Sequence, residues 1–184
     1  MNFTWLSDIF NAILKFIPRP IIIRATHRGV AWRLGKKVIE MKPGWRWIWP
    51  LITDWEIMVV ARQTNKSPIQ TIESSDGIKI SIGMFVVYRI NSIIAAIGEK
   101  NWDVDSTVND ISQGALVKTC SKFSYLDLRT KLLDQVTDDL TAKCKRELKS
   151  FGILVEKCAF YTFAQTEVRT IFGFQNQETE TEDD

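Results

Sequence analysis

The chain has 184 residues, with 24 Lys and Arg, 22 Asp and Glu, and a formal net charge of +2. This length allows one hydrophobic core, while three cysteines without CxxC spacing and a single histidine, His27, argue against a disulfide framework, a metal knuckle and a histidine-based triad. Residues 1–66 carry 11 bases and 4 acids, residues 67–172 carry 13 of each, and residues 173–184 carry 5 acids and no base. We therefore predict that the basic front half faces an anionic surface.

The first predicted element is a helix that ends at Pro18 and Pro20. At about 100° per residue its apolar side chains fall within an arc of roughly 180°. They are Phe3, Trp5, Leu6, Ile9, Phe10, Ile13, Leu14, Phe16 and Ile17. The helix is shorter than the ~20 apolar residues that span a bilayer. We expect residues 1–20 to lie in a membrane interface as an amphipathic anchor; packing against the protein core or another subunit is the alternative.

Basic side chains follow this predicted helix closely. Cations beside an interfacial helix contact anionic lipid headgroups. We expect that role for Lys15, Arg19, Arg24 and Arg28.

Strand patterns begin after the prolines, at IIIRAT, RGVAWRLG and WEIMVVAR. The clearest strand is predicted over residues 78–90, where apolar and polar side chains alternate. One face of that strand carries Ile78, Ile80, Ile82, Met84, Val86, Tyr88 and Ile90. Asp76 and Gly77 predict a hairpin turn that pairs this strand with PIQTIES.

The segment KPGWRWIWP carries three tryptophans, Trp45, Trp47 and Trp49, at alternate positions of an extended stretch. One interpretation is that they fill the core of the sheet. The other is an aromatic loop at the headgroup level of a membrane. Stacking on single-stranded nucleic acid is a third interpretation, but the bases are sparse and no nucleic-acid motif is present, so we expect no nucleic-acid partner.

Helical periodicity dominates from residue 93 onwards. Helices are predicted over residues 93–98, over 105–121 and from a capping Ser124 to Gly152, followed by the strand ILVEKCAFYTF and a disordered acidic tail over 173–184. The long helix has an apolar stripe of Leu126, Leu133, Val136, Leu140, Cys144, Leu148 and Phe151. The order of elements predicts an α+β fold, a twisted, mainly antiparallel sheet covered by helices.

No sequence motif for catalysis stands out. The chain has no Gly-rich phosphate loop, paired-carboxylate motif or metal-ligand spacing. His27 lies beside Arg24 and Arg28, and Asp76 fits a turn better than a catalytic dyad. We expect no enzyme activity, no catalytic residues, no cofactor and no metal.

Four stretches in order resemble the band-7 (SPFH) superfamily of stomatins, prohibitins and flotillins. They are RGVAWRLGK, KPGWRWIWPLITDWEIM, TIESSDGIKISIGMFVVYRINSIIAAI and LDLRTKLLDQVTDDLTAKCKRELKSFGILVEKCAF. The resemblance implies a band-7-like domain over residues 21–172.

It further implies a non-enzymatic, membrane-associated scaffold that forms homo-oligomers and organises membrane lipids or a membrane protease or channel, here expected at the cytoplasmic face. The sequence lacks the coiled coil through which most relatives assemble, so we expect assembly through the domain's own faces or a partner. A soluble modulator of a partner protease or other enzyme, docked through the N-terminal helix, is the alternative.

Overall fold

The computed structural model describes residues 16–98 and 103–166, apart from the side chains of residues 132 and 133. Most of the predicted N-terminal helix and the whole predicted acidic tail lie outside these residues. Phe16 and Ile17 are described and precede a strand that begins at Arg19, two residues before the predicted domain boundary.

The described residues form nine strands and three α-helices. The strands are β1 (Arg19–Ile23), β2 (His27–Arg33), β3 (Lys37–Met41), β4 (Gly44–Ile48), β5 (Thr53–Val59), β6 (Gln63–Lys66), β7 (Gln70–Glu73), β8 (Lys79–Ile90) and β9 (Ile153–Gln165). The helices are α1 (Val104–Cys120), α2 (Tyr125–Lys131) and α3 (Thr137–Leu148). Two π-helical turns, Ile94–Gly98 and Leu132–Val136, and one 3₁₀ turn, Lys149–Phe151, complete the helical part.

The strands form three antiparallel sheets. β1 and β4 make a two-stranded ribbon, and β2 is flanked by β3 and β5. β8 pairs with β6 and β7 along one edge and with β9 along the other. The predicted α+β class with antiparallel pairing is confirmed, but the single expected sheet is divided into three. The division follows from a small core, Ile23, Ala31, Met41 and Ile48, because the ribbon packs on the β3–β2–β5 sheet instead of extending it.

The main core lies between the β8 sheet and the helices. Six of the seven side chains predicted to form the apolar row of β8 are buried, namely Ile80, Ile82, Met84, Val86, Tyr88 and Ile90. The seventh, Ile78, is partly buried and precedes the strand by one residue. Helical residues close the core from the other side, namely Val108, Leu116, Leu128, Val136, Leu140, Cys144 and Leu148.

β9 carries one extra residue relative to β8 at each of two places. The register changes at Tyr161 and again at Glu156, and bulges of this kind redirect side chains. The Tyr161 ring lies against Gly83, and its hydroxyl donates to the Ser67 carbonyl at 2.8 Å. Glu156 accepts from Arg62 at 2.9 Å. The bulges therefore fasten β9 to the segments beyond the opposite edge of β8.

The long predicted helix is interrupted by the π-helical turn at Leu132–Val136. Its start is confirmed, because the Ser124 hydroxyl accepts from the Asp127 N–H at 3.1 Å. The assignment of Leu126 to the buried stripe is wrong: this side chain is 67% exposed, and Leu128 is buried in its place. A π turn inserts one residue, so the buried stripe shifts before Val136.

The β7–β8 turn is bonded to the start of α2. The Asp76 carboxylate accepts from the Tyr125 N–H at 3.0 Å and from the Ser74 hydroxyl. The Ser75 N–H donates to the Phe123 carbonyl at 3.0 Å. The turn predicted at Asp76 and Gly77 is confirmed, and its carboxylate also joins the hairpin to the helical layer.

Gly152 ends the helical segment as predicted, with φ at 71°. Its carbonyl accepts from the N–H groups of Asn91 at 2.9 Å and Ser92 at 3.1 Å. A Cβ atom on this residue would lie 2.5 Å from the Ser92 carbonyl oxygen. Because that neighbour is backbone, a side chain has no room here.

We expect Gly152→Ala to lower the free energy of unfolding by roughly 2–4 kcal/mol, from left-handed backbone strain and overpacking. Gly114→Ala is the matched control, because its Cβ meets nothing within 4 Å and lies in the exposed part of α1. That change should raise the free energy of unfolding by about 0.8 kcal/mol. Urea denaturation measures both, and equal effects of the two substitutions would contradict the role of Gly152.

The contribution of Asp76 to the stability of the fold depends on pH. The Ser74 hydroxyl, followed by the Tyr125 N–H, lowers the pKa of Asp76 below its ordinary value of 3.8. The unfolded chain therefore binds the proton first as pH falls, so this carboxylate stabilises the fold above 3.8 and loses that effect as pH drops through its lowered pKa. The stability difference between wild type and Asp76→Asn should shrink over that range in acid titrations of urea unfolding. A difference that stays constant would contradict the prediction.

Candidate functional site

The outer face of the β1–β4 ribbon is apolar and exposed. The register places Ile22 opposite Trp45 and Pro20 opposite Trp47, and directly opposed residues share a face. Trp45 is 68% exposed, Trp47 65% and Ile22 63%. The inner face of the same ribbon carries Ile23 and Ile48, both buried in the small core.

Two loops continue this apolar surface at one end of the ribbon, one between β2 and β3 and the other between β4 and β5. We call these loops, residues 34–36 and 49–52, the apolar tip. The Leu34 N–H donates to the Ile52 carbonyl at 2.8 Å, so the loops touch. The Ile52 N–H donates to the Trp49 carbonyl at 3.2 Å. Arg19 pairs with Ile48, so the chain also enters from Phe16 and Ile17 at this end. Exposed apolar side chains of the tip are Leu34, Trp49, Leu51 and Ile52.

Leu34 occupies a backbone conformation that leucine rarely adopts. Its φ is 54° and that of Gly35 is 67°, and the Lys36 N–H donates to the Arg33 carbonyl at 3.2 Å. Positive φ at both central residues is the geometry of a tight hairpin turn in which Asn and Gly are favoured. Leu34 is 71% exposed. A strained, exposed leucine suggests that its side chain serves a contact outside the fold.

We expect Leu34→Asn to raise the free energy of unfolding by ~1 kcal/mol, because asparagine tolerates the left-handed region. Leu51→Asn is the matched control, because Leu51 is an exposed leucine of the same tip but has no positive φ. Among the described residues other than glycine, only Leu34 has a positive φ. Leu51→Asn should leave stability unchanged. Thermal or urea unfolding measures both, and a loss of stability in Leu34→Asn would overturn the strain argument.

Cations lie close to the apolar tip. Arg33, Lys36 and Lys37 are exposed in and beside its first loop, and Arg19 is exposed at the start of β1. Sequence reasoning missed the first three, although the turn at Gly35 was the signal that could have found them. The basic charge predicted for the front half of the chain is thus partly gathered at one end.

The predicted headgroup contacts fall in different places. Arg24 is exposed in the loop after β1, and Arg28 donates to Glu40 at 2.8 Å. Arg28 precedes Arg33 by five positions in β2, about 17 Å along the strand. Arg19 alone of the described set lies beside the tip, and Lys15 is outside the described residues.

The predicted membrane-binding residues are divided in the same way. Those from Phe3 to Leu14 lie outside the described residues. Phe16, Ile17 and the three tryptophans are exposed. Their exposure excludes the interpretation that the tryptophans fill the core of the sheet; their contact with lipid remains a prediction.

A second feature, a cavity of about 250 Å³, lies beside β8 and the start of α1 and was not predicted. Its lining includes Tyr88, Glu56, Asp103 and Asp105. The Tyr88 hydroxyl donates to Asp105 at 2.6 Å. Burial, followed by this bond, raises the pKa of Tyr88. The phenol therefore stays protonated at neutral pH and acts as a structural donor.

Residues 16–98 and 103–166 contain no group of three or more His, Cys, Asp and Glu placed to hold a metal ion. The ring Nδ1 of His27 is bonded to the Thr26 hydroxyl at 2.9 Å. Among the helices of this described part, none has the length and apolar character needed to cross a bilayer.

Comparison with known proteins gives a family and one relative. A family model described as SPFH domain / Band 7 family matches residues 21–170. An uncharacterized protein of Archaeoglobus fulgidus is 24% identical over 99 residues, which cover 54% of this chain. The match spans 40% of the length of that relative.

Proposed function

Because the chain belongs to the SPFH domain / Band 7 family, we propose that it is a non-enzymatic membrane scaffold whose apolar tip and ribbon lie in the membrane interface. Proteins of this family are typically membrane-associated and oligomerise. The observation that carries the proposal is the outer face of the ribbon, where Ile22, Trp45 and Trp47 are exposed together. Tryptophan prefers the headgroup level of a bilayer, and exposed apolar surface of this kind marks an interaction site.

The free energy gained by burying the apolar side chains in a membrane is large enough for reversible attachment. If Ile22, Leu34, Trp45, Trp47 and Leu51 each bury half of their side chain, insertion gains ~4–7 kcal/mol before ordering costs. The amphipathic helix predicted for residues 1–17 would add ~6–12 kcal/mol by the same reasoning. Phe16 and Ile17, at the end of that predicted helix, precede the strand that begins beside the tip, which supports the proposal that both elements enter the same interface.

Electrostatics supports the same orientation. Arg19, Arg33, Lys36 and Lys37 surround the tip, and each cation near an anionic leaflet contributes ~1 kcal/mol. Arg28 contributes less because Glu40 neutralises it. We propose Arg19 and the three hairpin cations as the main headgroup contacts. Arg24 follows the opposite end of β1 and is not among them, while Lys15 stays a prediction.

We further propose that the chain forms homo-oligomers on the membrane and there organises lipids or a partner membrane protein, such as a protease or channel. The family supports this proposal. The basic tip fits the anionic cytoplasmic leaflet. Electron microscopy of the protein on lipid monolayers tests attachment and assembly together, since a dispersed monomer on lipid would contradict the scaffold.

The direct test is vesicle flotation with Trp45→Ser/Trp47→Ser. Both side chains are exposed, so the fold should be unaffected while the apolar gain falls by about 2 kcal/mol, or about 30-fold in partitioning to anionic vesicles. Leu34→Asn should weaken binding less, because one aliphatic side chain is lost. Leu126→Ser is the control, an equally exposed apolar residue on α2, and should bind as wild type does.

Equal partitioning of the double variant and wild type would remove the ribbon from the proposal. No flotation of wild type would remove membrane attachment altogether. In that case a partner protein retained by the full chain without lipid would favour the soluble modulator.

A further inference from the structure

A cavity of about 170 Å³ is lined by residues of both the ribbon and the β3–β2–β5 sheet. It adjoins the small core, and its walls include Arg33 and Thr53 from the sheet and Arg46, Trp47 and Trp49 from β4 and the residue after it. The volume is below the ~300–1,000 Å³ of pockets that take drug-sized ligands or cofactors. A ligand that fits here is about the size of a small headgroup.

The cavity is electropositive. Arg46 lies opposite Ile21 on the inner face of the ribbon, and Arg33 ends β2 on the other side. No carboxylate within residues 16–98 and 103–166 lies at ion-pairing distance from either guanidinium. Glu40 also lines the cavity, but Arg28 holds its carboxylate at 2.8 Å. Both arginines are exposed, so two positive charges without a partner carboxylate lie at the open side of a small, partly aromatic cavity.

The two guanidinium groups, of Arg33 and Arg46, indicate what kind of ligand the cavity can bind. A guanidinium binds phosphate oxygens through paired N–H groups. A phosphomonoester presents three oxygens and a charge between about −1.5 and −2 at neutral pH, which two arginines match better than the single charge of a phosphodiester. The Arg46 side chain can turn toward an anion because its competing bond is weak: Arg46 Nε reaches the Lys42 carbonyl only at 3.4 Å.

We propose that this cavity binds the terminal phosphate of a phosphomonoester lipid headgroup, with Arg33 and Arg46 as its ligands. The assignment to a lipid rests on the proposed membrane function, because Trp47 and Trp49 line the cavity and also belong to the surface proposed to lie at headgroup level. The scaffold would then prefer membrane regions rich in lipids of phosphatidic acid type over other anionic lipids.

The experiment compares vesicles of phosphatidylcholine that contain either phosphatidic acid or phosphatidylserine at equal surface charge. Wild type should bind the phosphatidic acid vesicles about tenfold more tightly, since two charge-assisted contacts are gained. Arg33→Gln/Arg46→Gln should abolish this preference. Lys66→Gln/Lys157→Gln is the matched control: it removes two exposed cations outside the cavity and should keep the preference. Wild type that binds both kinds of vesicle equally well, or a preference that survives in the arginine variant, would overturn the proposal.

A second arm separates this site from membrane attachment and identifies the source of the phosphate. Indole N–H resonances of Trp47 and Trp49, assigned with single Trp→Phe variants, are followed while dihexanoyl phosphatidic acid or glycerol 3-phosphate is added below vesicle-forming conditions. Shifts with dihexanoyl phosphatidic acid that vanish in Arg33→Gln/Arg46→Gln support the site even if wild type ignores vesicles, in which case only the membrane proposal fails. Glycerol 3-phosphate binding as tightly as the lipid, without any vesicle preference, would overturn the lipid assignment. Absence of shifts with both would overturn the site.

Discussion

The burial of one face of β8 is the interaction on which the rest of the structure depends. Six side chains of this strand, from Ile80 to Ile90, are buried beneath the helices. At ~1.5–3 kcal/mol each they supply roughly 9–18 kcal/mol of gross stabilisation, which is similar in size to the ~5–15 kcal/mol net stability of a domain. β6, β7 and β9 all pair with this strand, so the positions of the strands that form the main core follow from it.

The ribbon is stabilised by a different and smaller set of contacts. Its inner face is held by the four residues of the small core, Ile23, Ala31, Met41 and Ile48, and no described element covers its outer face, where Trp45 and Trp47 lie. A two-stranded ribbon alone is marginal in water, so packing on the β3–β2–β5 sheet is what keeps these tryptophans presented. The same packing leaves the cavity between Arg33 and Arg46. The contact between the ribbon and the β3–β2–β5 sheet therefore both stabilises the ribbon and leaves a cavity.

The two bulges of β9 and the positive φ at Gly152 join elements of the fold to one another, whereas the positive φ at Leu34 does not. The bulges at Tyr161 and Glu156 and the left-handed Gly152 each make a hydrogen bond or ion pair that fixes one element on another. Leu34 differs, because its strained conformation places an apolar side chain in solvent at the tip. The backbone N–H of Leu34 is bonded to Ile52, but its side chain is the most exposed of the large apolar side chains in the described part.

Sequence by itself determined what depends on local periodicity and turn chemistry. The alternation of β8, the cap at Ser124, the turn at Asp76 and the stop at Gly152 were all predictable, since each is decided within a few residues. Tertiary structure decided the rest: which side of the tryptophan segment meets the small core, and how the π turn exchanges Leu128 for Leu126. It also brought Arg33 and Arg46, thirteen positions apart, to one cavity. These outcomes depend on packing between segments distant in the chain, and a pattern read along one strand or helix contains no information about the surface that will cover it.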